Sequence, residues 1–432
     1  MLSTTDTTET GPDLETFAAE AEAFLDAHAT PKPQAKAAER AFTWGEGDDD
    51  PALFDEIAPE VEQAALAEAK AWRAARWDAG LGWITGPTEL GGRGLSNAHE
   101  KAYTALEARY VVPDQSFFGI GFGMIAPTIL AHGTDEVRRR YLPAMYRGDV
   151  VACQLFSEPG AGSDLAGLQS RAERDGDEWR ITGQKVWTSG AQYSDIGEII
   201  CRTDADQPKH RGLTGFVVDM LAPGVEVRPL RQMTGGASFN EVFFTDVRVP
   251  DSHRLGDVNQ GWTVALTTLM NERASIGGGG GGSGLGSGQN SIVGLTEMLR
   301  RFGLSDHPVY RQRLMRLYSD MHVARLNNQR ALDKIKAGQL PGPELSIAKL
   351  SLTANLTNMA ELVAEVLGPR ITADTGEWGT YSWAGYLLGT PGMRIAGGTD
   401  EVMRNIIGER VLGLPKEPGD NAKVPFRETL RN

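Results

Sequence analysis

The sequence predicts an α+β fold in three zones: an N-terminal helical domain, a central antiparallel β-barrel or sandwich, and a C-terminal four-helix bundle. Three observations carry that expectation. Apolar residues recur at helical spacing from Leu14 to about residue 150. Short β-branched and aromatic runs separated by turn residues replace them over 151–261. Helical spacing then returns at Trp262 and persists over 262–432.

The polar first dozen residues, MLSTTDTTETGP, have no core-forming pattern, and a disordered tail is expected over 1–13. In LETFAAEAEAFLDAH the apolar residues fall three and four apart, and APEVEQAALAEAKAWRAARWDAGLG repeats this over a longer run. Asp50-Pro51 reads as a start signal and Gly80 as a stop. SNAHEKAYTALEARYVV and DEVRRRYLPAMYRGD extend the helical zone. Beyond Gly148, WRITGQKVW, GFVVDM, VEVRPL and EVFFTDVRVP read as strands, with turns at Asp175-Gly176 and Pro223-Gly224. The third zone holds TVALTTLMNERASI and two long runs, HPVYRQRLMRLYSDMHVARLNNQRALDKIKAG and PELSIAKLSLTANLTNMAELVAEVLG, with EVMRNIIGERVLGLP as a last helix.

Composition narrows the function class. With 432 residues, 41% of them hydrophobic, the chain can bury a sizeable core in two or three domains. A net charge of −14 argues against a nucleic-acid partner, which needs a clustered basic surface. The two cysteines, Cys153 and Cys201, have neither a paired framework nor metal-ligand spacing, so buried free thiols and no metal are expected. FFGIGFGMIAPTILAHG, the most apolar run, is broken by glycines and Pro127 and is too short for a membrane span. No basic-then-apolar leader opens the sequence, and a cytoplasmic enzyme is the expectation.

Chemistry concentrates in a few stretches. CQLFSEPGAGSDLAG, residues 153–167, sets a Gly-Ala-Gly turn after an apolar strand, where bare backbone can approach a flat or phosphorylated ligand. A ligand-free tight loop would have the same glycines. ITGQKVWTSGA follows at residues 181–191, and MRIAGGTDEVMRN lies near the C-terminus at 393–405.

Taken together and in this order, EPGAGSD, ITGQKVWTSGA, the FTDVRVP strand and GGTDEVMRNIIGERVLGLP resemble the acyl-CoA dehydrogenases over about residues 14–416. These are FAD enzymes that oxidise the Cα–Cβ bond of acyl-CoA thioesters. The resemblance implies that Gln154, Phe156 and Ser157 lie against the flavin ring, that Trp187 flanks it, and that Thr188 and Ser189 reach its edge. It also implies FAD contacts from Thr399 and Glu401, and acyl-CoA contacts from Ser163, Arg273 and Gly398. Glu365 stands where the family often has a glutamine touching FAD across a subunit boundary, and a carboxylate there would repel pyrophosphate. The register of Arg300 and Arg301, which the family would turn towards FAD pyrophosphate, stays open. An electron-transferring flavoprotein or a similar acceptor is the implied partner. A homodimer or homotetramer is the implied assembly, with a heteromer as the alternative.

The family chemistry needs a carboxylate to take the α-proton, and in many members it is the glutamate directly before Gly-Thr. Here that position is Gly397. Lost activity, a base from a second subunit type, or a base elsewhere in the chain would each explain it. The isovaleryl-CoA and long-chain branches carry their glutamate on the helix after the β domain, just before an arginine; Glu272-Arg273 in LMNERASI occupies that slot. The resemblance thus implies Glu272 as base, while the Gly397 amide still binds the thioester carbonyl. Immediately after comes GGGGGGSGLGSG, residues 277–288, where a helix would lose about 1 kcal/mol per glycine relative to alanine. A surface insertion and an opening beside the acyl pocket both remain compatible with it. The alternatives are a same-fold flavin oxidase or monooxygenase, or, from a different class, a non-catalytic or half-active acyl-CoA-binding subunit of a heteromeric complex.

Overall fold

The computed structural model describes residues 11–33, 42–54, 57–278, 288–336, 342–416 and 423–429. Helix α1 (Leu14–His28) starts where Asp13 accepts the Thr16 amide at 2.8 Å. A short β1 (Thr30–Pro31) later pairs with β2 (Tyr110–Val111). Helix α2 (Pro59–Asp78) begins with Pro59 in its first turn, not at Asp50-Pro51, and the chain turns away through Gly80 at φ 71°. Asp50-Pro51 instead belongs to a segment laid across the C-terminal helices. Helix α3 (Asn97–Glu107) leads into β2, and the apolar run that was too short for a membrane forms a π-turn, Gly121–Ile125, continuous with α4 (Ala126–His132). No helix among the described residues is long and apolar enough to cross a membrane. Helix α5 (Asp135–Arg147), capped by Thr134, closes the zone.

The central sheet has eight strands: β3 (Ala152–Leu155), β4 (Arg171–Asp175), β5 (Glu178–Ser189), β6 (Ile196–Arg202), β7 (Leu213–Asp219), β8 (Val225–Leu230), β9 (Phe239–Pro250) and β10 (Arg254–Leu255). Their order is β10-β7-β6-β4-β5-β9-β8. Most pairs are antiparallel, as expected, but β3 joins β6 in parallel, because the chain crosses over through β4 and β5 before β6 is laid down. All seven residues of β6 are buried: Ile199 and Cys201 face a core with Trp179 and Phe244, while Ile196 and Ile200 face one shared with Ile125, Met145 and Val264. That second core joins the helical zone, the sheet and the next helix. Both cysteines are free and buried, and burial pushes each thiol up to about 12.

Helix α6 (Gly261–Gly278) packs on β7 and on the π-turn. It is followed by α7 (Ile292–Arg301), α8 (Pro308–Lys336), α9 (Leu345–Leu367), α10 (Trp383–Ile395) and α11 (Asp400–Ile406). Helix α9 lies centrally, touching α6, α8, α10 and α11, and its Met359, Val363 and Leu367 share a core with Leu317 and Trp383. The segment 42–54 crosses this bundle. Its Asp49 accepts from the Gly379 amide at 2.7 Å, Ser382 Oγ at 3.1 Å and Gln289 Nε2 at 3.1 Å. Most of the glycine run, 279–287, lies outside the described residues.

Candidate active site

The loop after β3 is fixed from beneath. Lys185 of β5 is fully buried and donates to the Phe156 carbonyl at 3.1 Å, the Ile200 carbonyl at 2.9 Å and Glu158 Oε1 at 2.8 Å. Glu158 also accepts the Gln169 amide at 2.6 Å and the Ser170 amide at 2.9 Å. Burial drives its carboxyl upward, but the Lys185 charge and these donors outweigh burial and hold it below the ordinary value. Phe156 is buried, Gln154 and Ser157 half-buried, and Ser163 exposed beside an Asp164–Lys209 ion pair at 2.7 Å. Sequence reasoning missed this clamp, whose partners Glu158 and Lys185 lie 27 residues apart.

Strand β5 carries two tryptophans with opposite fates. Trp179 is buried and donates to Asp251 at 2.7 Å. Trp187 is 57% exposed, at φ 61°, a left-handed conformation rare for an aromatic residue. A β-bulge explains it: between the Lys185–Val242 and Thr188–Asn240 pairs, β5 spends Val186 and Trp187 opposite Glu241 alone. The bulge turns the indole out of the sheet, edge-on to Phe239 at 6.1 Å, with Phe54 beyond it at 5.5 Å. Next to it Thr188 is 1% exposed, and its hydroxyl has no partner among the described residues. Ser189, half-buried, ends the strand.

At the other end of the chain, Gly397 and Gly398 take φ 64° and 92°, and a Cβ on Gly398 would meet Met403 at 2.5 Å. Thr399 caps α11 by accepting the Val402 amide at 3.2 Å. Asp400 turns inward rather than towards a cofactor: it is 4% exposed and accepts from Thr353 at 2.8 Å, Arg394 at 2.8 Å and Lys349 at 3.2 Å. Lys349 also holds the Arg394 carbonyl at 3.1 Å, so the turn is tied to α9 on both sides. Glu401 is exposed and faces Arg404 at 3.3 Å. Glu365 pairs with Arg313, and Arg300 and Arg301 pair with Glu297 and Glu377.

Glu272 is half-buried on α6. Helix α6 packs against α9, which also supports the glycine turn, so both stretches share one scaffold. The Arg273 side chain lies outside the described residues. One turn before Glu272, Thr268 donates to the fully buried Glu198 of β6 at 2.7 Å and meets Thr128 at 2.9 Å. Burial pushes Glu198 up to about 8, with Thr268 only partly opposing it. Nothing in the local sequence of IGEIICR distinguishes this acid from a solvated one.

Comparison with known proteins decides the family. Models of the acyl-CoA dehydrogenase N-terminal, middle and C-terminal domains match residues 53–149, 153–247 and 259–412. The chain belongs to the acyl-CoA dehydrogenase family. It is 39% identical over 360 residues to acyl-CoA dehydrogenase IpdE1 of Mycobacterium tuberculosis, covering 83% of this chain and 91% of that one. It is 41% identical over 366 residues to FadE34 of the same organism, covering 84% of this chain but 49% of FadE34, so it spans about half of that relative. Among solved structures, the Tcur3481-Tcur3483 steroid acyl-CoA dehydrogenase superposes with a TM-score of 0.68 at 25% identity, over 94% of this chain and 98% of that one. The ChsE4-ChsE5 complex of Mycobacterium tuberculosis gives 0.64 at 28%, over 94% and 99%.

As a family member the chain is an FAD-dependent oxidoreductase. The residues present fit that cofactor: an outward indole forms a flat apolar wall, and the buried Thr188 hydroxyl beside it lacks a partner that a polar ring edge would supply.

Proposed function

We propose that this acyl-CoA dehydrogenase oxidises the Cα–Cβ bond of an acyl-CoA thioester with Glu272 as the base. One observation carries the reading: the usual glutamate position is Gly397, in left-handed backbone, whereas Glu272 stands half-buried on the helix that shares its α9 support with that turn. When bound, FAD supplies the hydride acceptor. Gln154, Phe156 and Ser157 line its ring, Trp187 covers one face, and Thr188 and Ser189 give hydroxyls to its edge. Thr399 and Glu401 contact it from the C-terminal turn. Ser163, Arg273 and Gly398 position the acyl-CoA. The Gly397 amide polarises the thioester carbonyl, which lowers the cost of removing the α-proton, and Glu272 takes that proton. Electrons leave to an electron-transferring flavoprotein or a similar acceptor.

The acyl group we favour is bulky and ring-bearing. The solved relatives include a steroid acyl-CoA dehydrogenase, and a cyclohexane-1-carbonyl-CoA dehydrogenase is 29% identical over 52% of this chain. An anaerobic panel of short, branched, long and steroid-like acyl-CoAs, scored by flavin reduction, tests this. Glu272→Gln should keep FAD and acyl-CoA binding yet lose both flavin reduction and exchange of the substrate α-proton into heavy water. Undiminished exchange in that variant removes Glu272 as the base.

A second reading has its own support: a heteromer in which this chain works beside a second acyl-CoA dehydrogenase chain. Two solved relatives carry paired names, Tcur3481-Tcur3483 and ChsE4-ChsE5, and FadE34 is about twice the matched length. It predicts that the chain purified alone lacks FAD or stays oxidised with every acyl-CoA, and that co-expression with a second chain restores reduction.

A further inference from the structure

A cavity of about 280 Å³ opens in the N-terminal helical zone, between α2, α3, α5 and the loop at 82–85. That is room for about nine water molecules. Its lining includes two buried guanidiniums, Arg73 and Arg76, at 6% and 7% exposure. Buried arginines usually meet carboxylates. Among the described residues Arg73 instead donates only to backbone carbonyls, Tyr146 at 3.2 Å and Gly82 at 3.3 Å. Arg76 lies 3.4 Å from Glu107, but that carboxylate oxygen also accepts from Trp72 at 3.2 Å and Tyr103 at 2.9 Å, and Arg76 Nε has no partner. The other acid in the lining is Glu100, whose carboxyl burial raises against the pull of both arginines. Burial and the neighbouring Arg76 pull Arg73 down to about 9, with Glu107 only partly opposing them.

The shape is as specific as the charge. Arg73 lies over Phe122 at 4.2 Å and Arg76 over Tyr103 at 4.3 Å, which pins both planes. Arg76 also donates to the Leu81 carbonyl at 3.1 Å, so among the described residues Arg73 Nη1 and Arg76 Nε are the N–H groups left to bind. Trp83, Tyr146 and Phe122 stack in a column, with centroids 4.0 and 4.9 Å apart and planes within 6° and 22° of parallel. A guanidinium edge beside a flat aromatic wall recognises a planar carboxylate attached to a ring. We propose that this cavity is a binding site, separate from the flavin and acyl-CoA site, for a small aromatic or cyclic carboxylate that is not joined to coenzyme A. Thr85 and Thr104, the exposed members of its lining, mark the mouth.

Calorimetry on the FAD-loaded protein with benzoate, benzyl alcohol and inorganic phosphate tests the proposal. Benzoate should bind once per chain, at least tenfold tighter than either control, without changing the flavin absorbance spectrum. Arg73→Gln should weaken it at least tenfold. If that variant fails to fold, Thr85→Trp, which plugs the mouth from an exposed position, should do the same. Absence of benzoate binding, equal binding of benzyl alcohol or phosphate, a perturbed flavin spectrum, or full affinity in a folded Thr85→Trp variant would each overturn the site. None of these outcomes depends on Glu272 or on the identity of the acyl group.

Discussion

The loop after β3 and the Gly397-Gly398 turn are held by the same device in different settings. Glu158 and Lys185, 7% and 0% exposed at the side chain, lie 2.8 Å apart inside the sheet and fix the loop after β3 to β5 and β6. Asp400 and Lys349, 5% and 10% exposed and 3.2 Å apart, tie the glycine turn to α9, with Arg394 completing the shell from a half-exposed position. The first pair is sealed, and every donor reaching it comes from the chain. The second is a joint between helices with one solvated member. A sealed pair is the more brittle, because losing one partner strands a charge that water cannot reach.

That contrast can be broken most severely at Lys185. Lys185→Met should cost about 3–5 kcal/mol in denaturant unfolding, because Glu158 keeps its charge without its cation. A double variant, Lys185→Met with Glu158→Leu, should recover part of the loss. If the single variant unfolds no more easily than wild type, the pair is not what holds the loop.

A third buried carboxyl sharpens the comparison because it has no cationic partner among the described residues. Glu198, pushed up to about 8 by burial, stays protonated in the folded chain while its unfolded counterpart ionises at ordinary carboxylate pH. Its folded pKa is the higher one, so its contribution favours folding at low pH and is lost as pH rises from about 4.5 through 8. Glu198→Gln should therefore be more stable than wild type at pH 8, by about 2 kcal/mol after the cost of burying an amide. The advantage should disappear and then reverse towards pH 4.5, where the protonated Glu198 is no longer penalised and the cost of the buried amide remains, followed by thermal melts across that range.

Asp400 runs the other way. Burial raises its carboxyl, but Arg394, Thr353 and Lys349 together hold it below the ordinary value. The stability it contributes is present above the unfolded carboxyl pKa of about 3.8 and is lost as pH falls through the lower folded value. Asp400→Asn should cost about 1–2 kcal/mol near neutral pH, less than Lys185→Met because Arg394 can turn to water. Its penalty should fade in acid.

These acids also mark how far the sequence could be read. Zones, most helices and the motif strings were legible because they rest on local periodicity and on contiguous stretches such as EPGAGSD. The clamps were not, since Lys349 and Asp400 meet across 51 residues and no local pattern announces the pairing. Asp50-Pro51 carried a valid helix-start signal, yet residues 42–54 gain more by anchoring Asp49 on the C-terminal helices. Trp187 shows the same limit: a tryptophan in a strand belongs in the core, as Trp179 does, unless a bulge reverses its direction.

The smallest effect is the most discriminating, because its sign depends on the cofactor. Thr188 Oγ1 is buried without a partner among the described residues, so in flavin-stripped protein Thr188→Val removes an unmet polar group while keeping a β-branched shape in the strand. Unfolding of that form should be unchanged or harder by about 1 kcal/mol. If the hydroxyl serves the flavin edge, the same substitution should weaken FAD binding by about tenfold, or about 1.4 kcal/mol. A merely structural threonine would move both measurements in the same direction. Opposite signs would tie the orphaned hydroxyl to FAD and, through the bulge that exposes Trp187, explain why this stretch of β5 departs from regular pairing.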